Sequence, residues 1–131
     1  MRKFMRLAVL VPCFALIWIL MMSGCVSNSI TNLTSTVQSR SANNQYRIEY
    51  HWDSTQQSLR PTSISPSVII GFDSYPMRRV IHTSNRWETW VTIPADESQL
   101  IYHFKVDYDA NGFGKIERSS KLSPEYKLVV R

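Results

Sequence analysis

The sequence predicts an all-β domain, a two-sheet antiparallel sandwich of six or seven short strands, and three observations lead there. Beyond Asn44 the apolar residues recur with a period of two, the spacing of a strand with one buried face, and not with the 3.6 of a helix. Pro61, Pro66, Pro76, Pro94 and Pro124 fall at the ends of the apolar runs, where a missing N–H costs no ladder bond. Helix formers are scarce after Gly24, with 3 Ala and 5 Leu in the remaining 107 residues. The full length of 131 residues allows one domain of ordinary size and excludes a barrel enzyme or a two-domain dinucleotide binder.

The first 24 residues differ from the rest, since 18 of them are apolar. Arg2, Lys3 and Arg6 precede an uncharged run from Leu7 to Met22, the pattern of a secretory signal peptide. As a membrane span the run is short, because about 20 residues are needed to cross about 30 Å of hydrocarbon, and Pro12 interrupts it. Met22-Ser23-Gly24-Cys25 then sets an apolar residue, two small residues and a thiol at the end of the run. This junction resembles the lipobox of bacterial lipoproteins. Small residues let the backbone enter a peptidase extended, and only a thiol can be alkylated to a thioether-linked diacylglycerol. The resemblance implies removal of residues 1–24, a lipidated Cys25 and attachment to the membrane through that lipid. Two or three acyl chains anchor durably where one does not, each buried methylene contributing about 0.8 kcal/mol. Val26 stands where an Asp would imply inner-membrane retention, so the same resemblance implies the outer membrane.

With Cys13 in the leader and Cys25 consumed by lipid, the folded part keeps no thiol for a disulfide, a metal or a nucleophile. The leader also holds three of the 15 basic residues, which leaves 12 against ten acids, a net +2 in place of +5. No nucleic-acid partner is implied by so small an excess.

Residues 25–44 are expected to be a polar tether, with Ser, Thr or Asn at 12 of the 19 positions after Cys25, reaching about 25 Å as a random coil. Within it, Ser29–Thr34 alternates around Ile30 and is a candidate edge strand. The sandwich itself is assigned to residues 45–131. Tyr46, Ile48, Tyr50 and Trp52 share one face of a first strand while Arg47, Glu49, His51 and Asp53 share the other. Ser67–Phe72 is a continuous apolar run suited to a strand covered on both sides. Met77–Thr83 and Arg86–Ile93 follow. Leu100–Tyr108 repeats the alternation, with Leu100, Tyr102, Phe104, Val106 and Tyr108 inward, and Glu125–Val130 closes the chain. That many short strands between turn signals define an immunoglobulin-like sandwich, with Trp52, Trp87, Tyr102 and Phe104 as core candidates, each worth about 1.5–3 kcal/mol when buried.

Few residues are placed for chemistry. His51, His82 and His103 have no ligand spacing, and no nucleophile-elbow pattern occurs. No cofactor and no enzymatic activity are expected. Asp107, Asp109 and Asn111 open a D-x-D-x-N-G segment like the start of a calcium loop, but the twelfth position, where such a loop carries Glu, is Arg118. A tight hairpin turn at Asn111-Gly112 is the favoured reading, with metal binding the lesser one. Trp87 and Trp90, three apart on a strand, face opposite ways, so one should leave the core. Trp90 and Tyr75 are therefore candidate contacts for a glycan or a partner. The order W-x-x-W-V-x-I-P, then L-I-Y-H-F-K-V-D, over residues 87–108 resembles glycogen- and starch-binding modules, which implies sugar stacking as one function. The leading expectation is an envelope-anchored lipoprotein whose non-enzymatic domain contacts another envelope component through its edge strands or the Trp90 face.

Overall fold

The computed structural model describes residues 25–131, and the expected signal peptide, residues 1–24, lies outside the described residues. The described strands are β1 (Asn28–Asn32), β2 (Val37–Gln38), β3 (Gln45–Ser54), β4 (Ser65–Ile70), β5 (Asp73–Pro76), β6 (Arg78–Arg79), β7 (Arg86–Thr92), β8 (Gln99–Asn111), β9 (Ile116–Leu122) and β10 (Tyr126–Val130), with one 3-10 turn at Pro61–Ser63. They form two sheets, β1-β3-β7-β6 and β2-β10-β8-β4-β5, with β9 also paired to β8. Every pairing is antiparallel except that of the two-residue β2 with β10. This is the immunoglobulin-like order: β1, β3, β7 and β6 stand as strands A, B, E and D, and β4, β8 and β10 as C, F and G.

The alternation of β3 and β8 makes the core. Tyr46, Ile48, Tyr50 and Trp52 from β3 meet Tyr102, Phe104, Val106 and Tyr108 from β8, and Val68, Trp87, Val91 and Leu128 fill in around them. Antibody domains join their B and F strands by a disulfide. Here Tyr50 and Phe104 hold that crossing, with ring centroids 4.7 Å apart, and Tyr102 meets Phe104 edge-on at 5.4 Å. Such pairs add about 0.5–1.5 kcal/mol each beyond burial, so aromatic packing can stand in for the missing bridge. Burial pushes the phenols of Tyr50 and Tyr102 above their ordinary value, although Tyr102 is partly compensated by bonds with Thr34 and Asn32.

The long β8 shares one edge between two partners: β10 runs along Gln99–Tyr102 and β9 along Lys105–Asn111. They are two halves of one last strand, broken at Ser123-Pro124, where Pro124 has no N–H to give. Ser123 spans the break, its N–H donating to the Phe104 carbonyl at 2.9 Å and its Oγ accepting from the Phe104 N–H at 2.8 Å.

Two expectations are corrected, and one strand is added. The segment expected as a tether, residues 25–44, is largely part of the sandwich. Ile30 of β1 pairs with Trp52, and β2 adds to β10, so the edge-strand expectation within it is the part that holds. Met77–Thr83 is not one strand. The buried Met77 carries the chain from β5 in one sheet to β6 in the other, and residues after Arg79 turn, with His82 at φ 63°. Finally, β9 is a strand that no apolar alternation announces.

Candidate functional site

The outer face of the four-stranded sheet carries the densest polar arrangement. The β3–β7 register sets Glu49 directly opposite Glu88 and Arg47 opposite Trp90. Two like charges facing one another repel, and Glu49 is only 8% exposed, so the pair needs cations. Arg47 supplies the first, its Nη2 2.7 Å from Glu49 and its Nε 2.7 Å from Glu88. Arg86 pairs with Glu49 from the next position, and Arg78 of β6 reaches Glu88 at 3.2 Å. Three guanidinium groups thus hold two carboxylates flat on the sheet, leaving one net positive charge. Further along the same face His51 lies 3.1 Å from Asp53, and Asn85 bonds to both.

Trp90 stands beside this lattice. Trp87 turns into the core and Trp90 out, 52% exposed, as their spacing requires. Its indole borders a shallow groove of about 250 Å³ together with Met77, Arg78 and Glu88. Tyr75 does not join it. The register places Tyr75 opposite Val68, on the inward-facing side of β5 in the other sheet, where it is 38% exposed at the open edge. The two aromatics expected to act together therefore sit on different sheets and do not share a face.

Asp107, Asp109 and Asn111 lie extended on β8, not curled around a common centre. They pair in register with Ser120, Arg118 and Ile116 of β9. Lys105 takes Asp107 at 3.0 Å and Arg118 takes Asp109 at 3.3 Å. Burial opposes ionisation of Asp107, but its bonds to Lys105 and Ser120 and the charges of Lys105 and Arg118 outweigh this and hold its carboxyl below the usual aspartate value. The hairpin turn expected at Asn111-Gly112 forms one step later, closed by the Gly112 N–H on the Lys115 carbonyl at 2.8 Å, with Gly114 at φ 74°. Among the described residues no group of three or more His, Cys, Asp or Glu is placed to hold a metal ion, and the three histidines are not brought together as a cluster.

Cys25 is the first described residue and is exposed. Only Val26 and Ser27 separate it from β1. The lattice of Arg47, Arg78, Arg86, Glu49 and Glu88 has no signature in the linear sequence. Outward phase marks Arg47, Glu49, Arg86 and Glu88 individually, but nothing in the chain states that β3 and β7 pair with Glu49 against Glu88.

No protein-family model and no curated protein matches the chain. Among solved structures the chain is similar to a DUF4785 family protein from Legionella pneumophila, at 8% identity and a TM-score of 0.44, covering 83% of this chain and 29% of that one. It is also similar to murine CRIg, at 14% identity and a TM-score of 0.44, covering 79% of this chain and 98% of that one. The chain thus spans less than a third of the Legionella chain. The class the molecule defines, an immunoglobulin-like sandwich with an ion-paired outer sheet and one half-exposed Trp, rests on its own strand order and side chains.

Proposed function

We propose that this chain is an envelope lipoprotein, anchored in the outer membrane by acyl groups on Cys25, whose sandwich is a non-enzymatic binding or structural domain for another envelope component. One observation carries the reading: the Met22-Ser23-Gly24-Cys25 junction ends an apolar leader and is followed, after Val26 and Ser27, by the first strand of a folded domain. A cleaved and acylated Cys25 is the outcome that this order of parts serves. The face around Trp90, Arg47 and Arg78 is the contact surface that fits best, because it combines an exposed aromatic with fixed charges. Replacing Cys25 by Ser should abolish incorporation of radiolabelled palmitate and leave full-length precursor in the cell. Labelling of the Cys25→Ser chain at the native level would overturn the anchor.

A second reading, a surface glycan-binding module, is favoured by Trp90 alone, since an indole beside a groove suits a sugar ring. Titration with glucans and peptidoglycan fragments should then quench or shift Trp fluorescence in the native chain and not in Trp90→Ala. No response to any saccharide removes this reading and leaves the first intact.

A further inference from the structure

We propose that the β8–β9 hairpin is a second membrane contact, with the Phe113 ring at its tip seated in the lipid headgroup region beside the anchor. The inference deepens the lipoprotein reading and rests on acylation of Cys25. Its basis is the length of chain between Cys25 and the fold, together with the end of the sandwich at which that chain emerges.

Asn28 opens β1 opposite Ser54, the last residue of β3, so Cys25 lies at the end of the sandwich where β3 finishes. The same end holds the far part of β8, because the Asn28 side-chain amide donates to the Tyr108 hydroxyl at 2.8 Å. From Tyr108 the strand runs on to Asn111, about 10 Å at 3.3 Å per residue, before the turn that carries Phe113. From Asn28 to Cys25 is three residues, a reach of at most about 11 Å even fully extended. The lipidated residue is therefore unable to stand off further than the hairpin projects. A bilayer that holds the Cys25 acyl chains comes level with Phe113.

The hairpin has the chemistry for that position. Phe113 is fully exposed and Ile116 is more than half exposed. Lys115 stands at the tip with Glu117 close by, and Arg118 is held by Asp109 further back, so the tip itself carries no excess of negative charge to repel phosphate headgroups. Ile81, in the turn between β6 and β7, is largely exposed at this same end, since the neighbouring Asn85 carbonyl accepts from the Trp52 N–H near the finish of β3. An aromatic ring on water at a loop tip is unfavourable by itself, and the interface relieves it. Phe72 supplies an internal contrast. It is as exposed as Phe113, but it caps the β4–β5 hairpin, whose strand β4 pairs from Asp107 back toward His103, and so lies at the opposite end of β8.

The test uses the full, processed chain reconstituted in phosphatidylethanolamine–phosphatidylglycerol vesicles. Phe113→Cys and Phe72→Cys are each labelled with a polarity-sensitive fluorophore, the unsubstituted chain serving as control. The expected result is that the label at residue 113 brightens several-fold, shifts to the blue and is quenched by lipids carrying a headgroup-level nitroxide, while the label at residue 72 does none of these. If the two labels behave alike while the control takes up no fluorophore, the hairpin proposal falls and the anchor stands. Protection of residue 113 only in whole envelopes, and not in vesicles, would mean a protein covers the tip and also overturns it. Should the control itself take up fluorophore at a free Cys25 thiol, the anchor and the hairpin contact fail together.

Discussion

Tyr50 carries a cost that its ring repays. Its hydroxyl is buried with no partner among the described residues, although the ring closes the B–F crossing against Phe104. Tyr50→Phe should therefore raise stability by about 1 kcal/mol, read as a higher urea midpoint at unchanged slope. The same burial sets an alkaline limit. Tyr50 and Tyr102 ionise at higher pH in the fold than in the open chain, so their contribution is intact below about pH 10 and is lost as pH climbs toward the folded values. Tyr50→Phe should flatten that loss in a melting series above pH 10. Asp107 acts in the opposite sense: its lowered pKa adds a little stability above the ordinary value of 3.8 that disappears on acidification, and its exposure keeps the effect small. At the outer lattice, Glu49→Gln removes the partner of Arg86 and one of the two partners of Arg47. It should cost about 1 kcal/mol, less than a fully buried pair because the arginines are half in water, and the cost should shrink in high salt. At this scale much was legible. Alternation alone turns Trp52, Trp87, Tyr102 and Phe104 inward and Trp90 outward, whereas the Glu49–Glu88 opposition depends on a register that no local pattern encodes.

Strands announced themselves where one face meets the core and stayed silent elsewhere. β3, β7, β8 and β10 are each half-buried, so their period of two is plain. In β9 the residues opposite Val106, Tyr108 and Ala110 are Lys121, Ser119 and Glu117, and the apolar Ile116 and Leu122 lie on the outer phase and are exposed. It is a strand because β8 offers an edge, not because it buries a face. The break at Met77 was hidden for a related reason: an apolar residue at a crossing between sheets looks like one inside a strand. β1 and β2 are polar edge strands that composition alone describes as tether. Their role is testable. A chain beginning at Gln45 loses both, leaves an edge of β3 and of β10 unpaired and uncovers Trp52, so it should aggregate or lose near-ultraviolet circular dichroism. A chain beginning at Val26 should keep a cooperative transition. Equal stability of the two would return residues 26–44 to the status of a tether.

For the molecule as a whole, the absorbed tether changes how the domain sits. A free coil of 20 residues would let the sandwich roam, whereas two residues between Cys25 and β1 press one end of it against whatever holds Cys25. With the proposed lipid on Cys25, the outer sheet with Trp90 would be presented sideways, along the membrane. Such placement suits contact with a neighbouring envelope component better than with a distant one. All of this depends on the chemistry of one residue, and intact mass spectrometry of the protein recovered from the membrane fraction reads it directly. The account predicts a chain that begins at Cys25 and is heavier than its sequence by a diacylglyceryl group, with a further acyl chain on the amine. A soluble chain, or one retaining an unmodified Cys25, would contradict it.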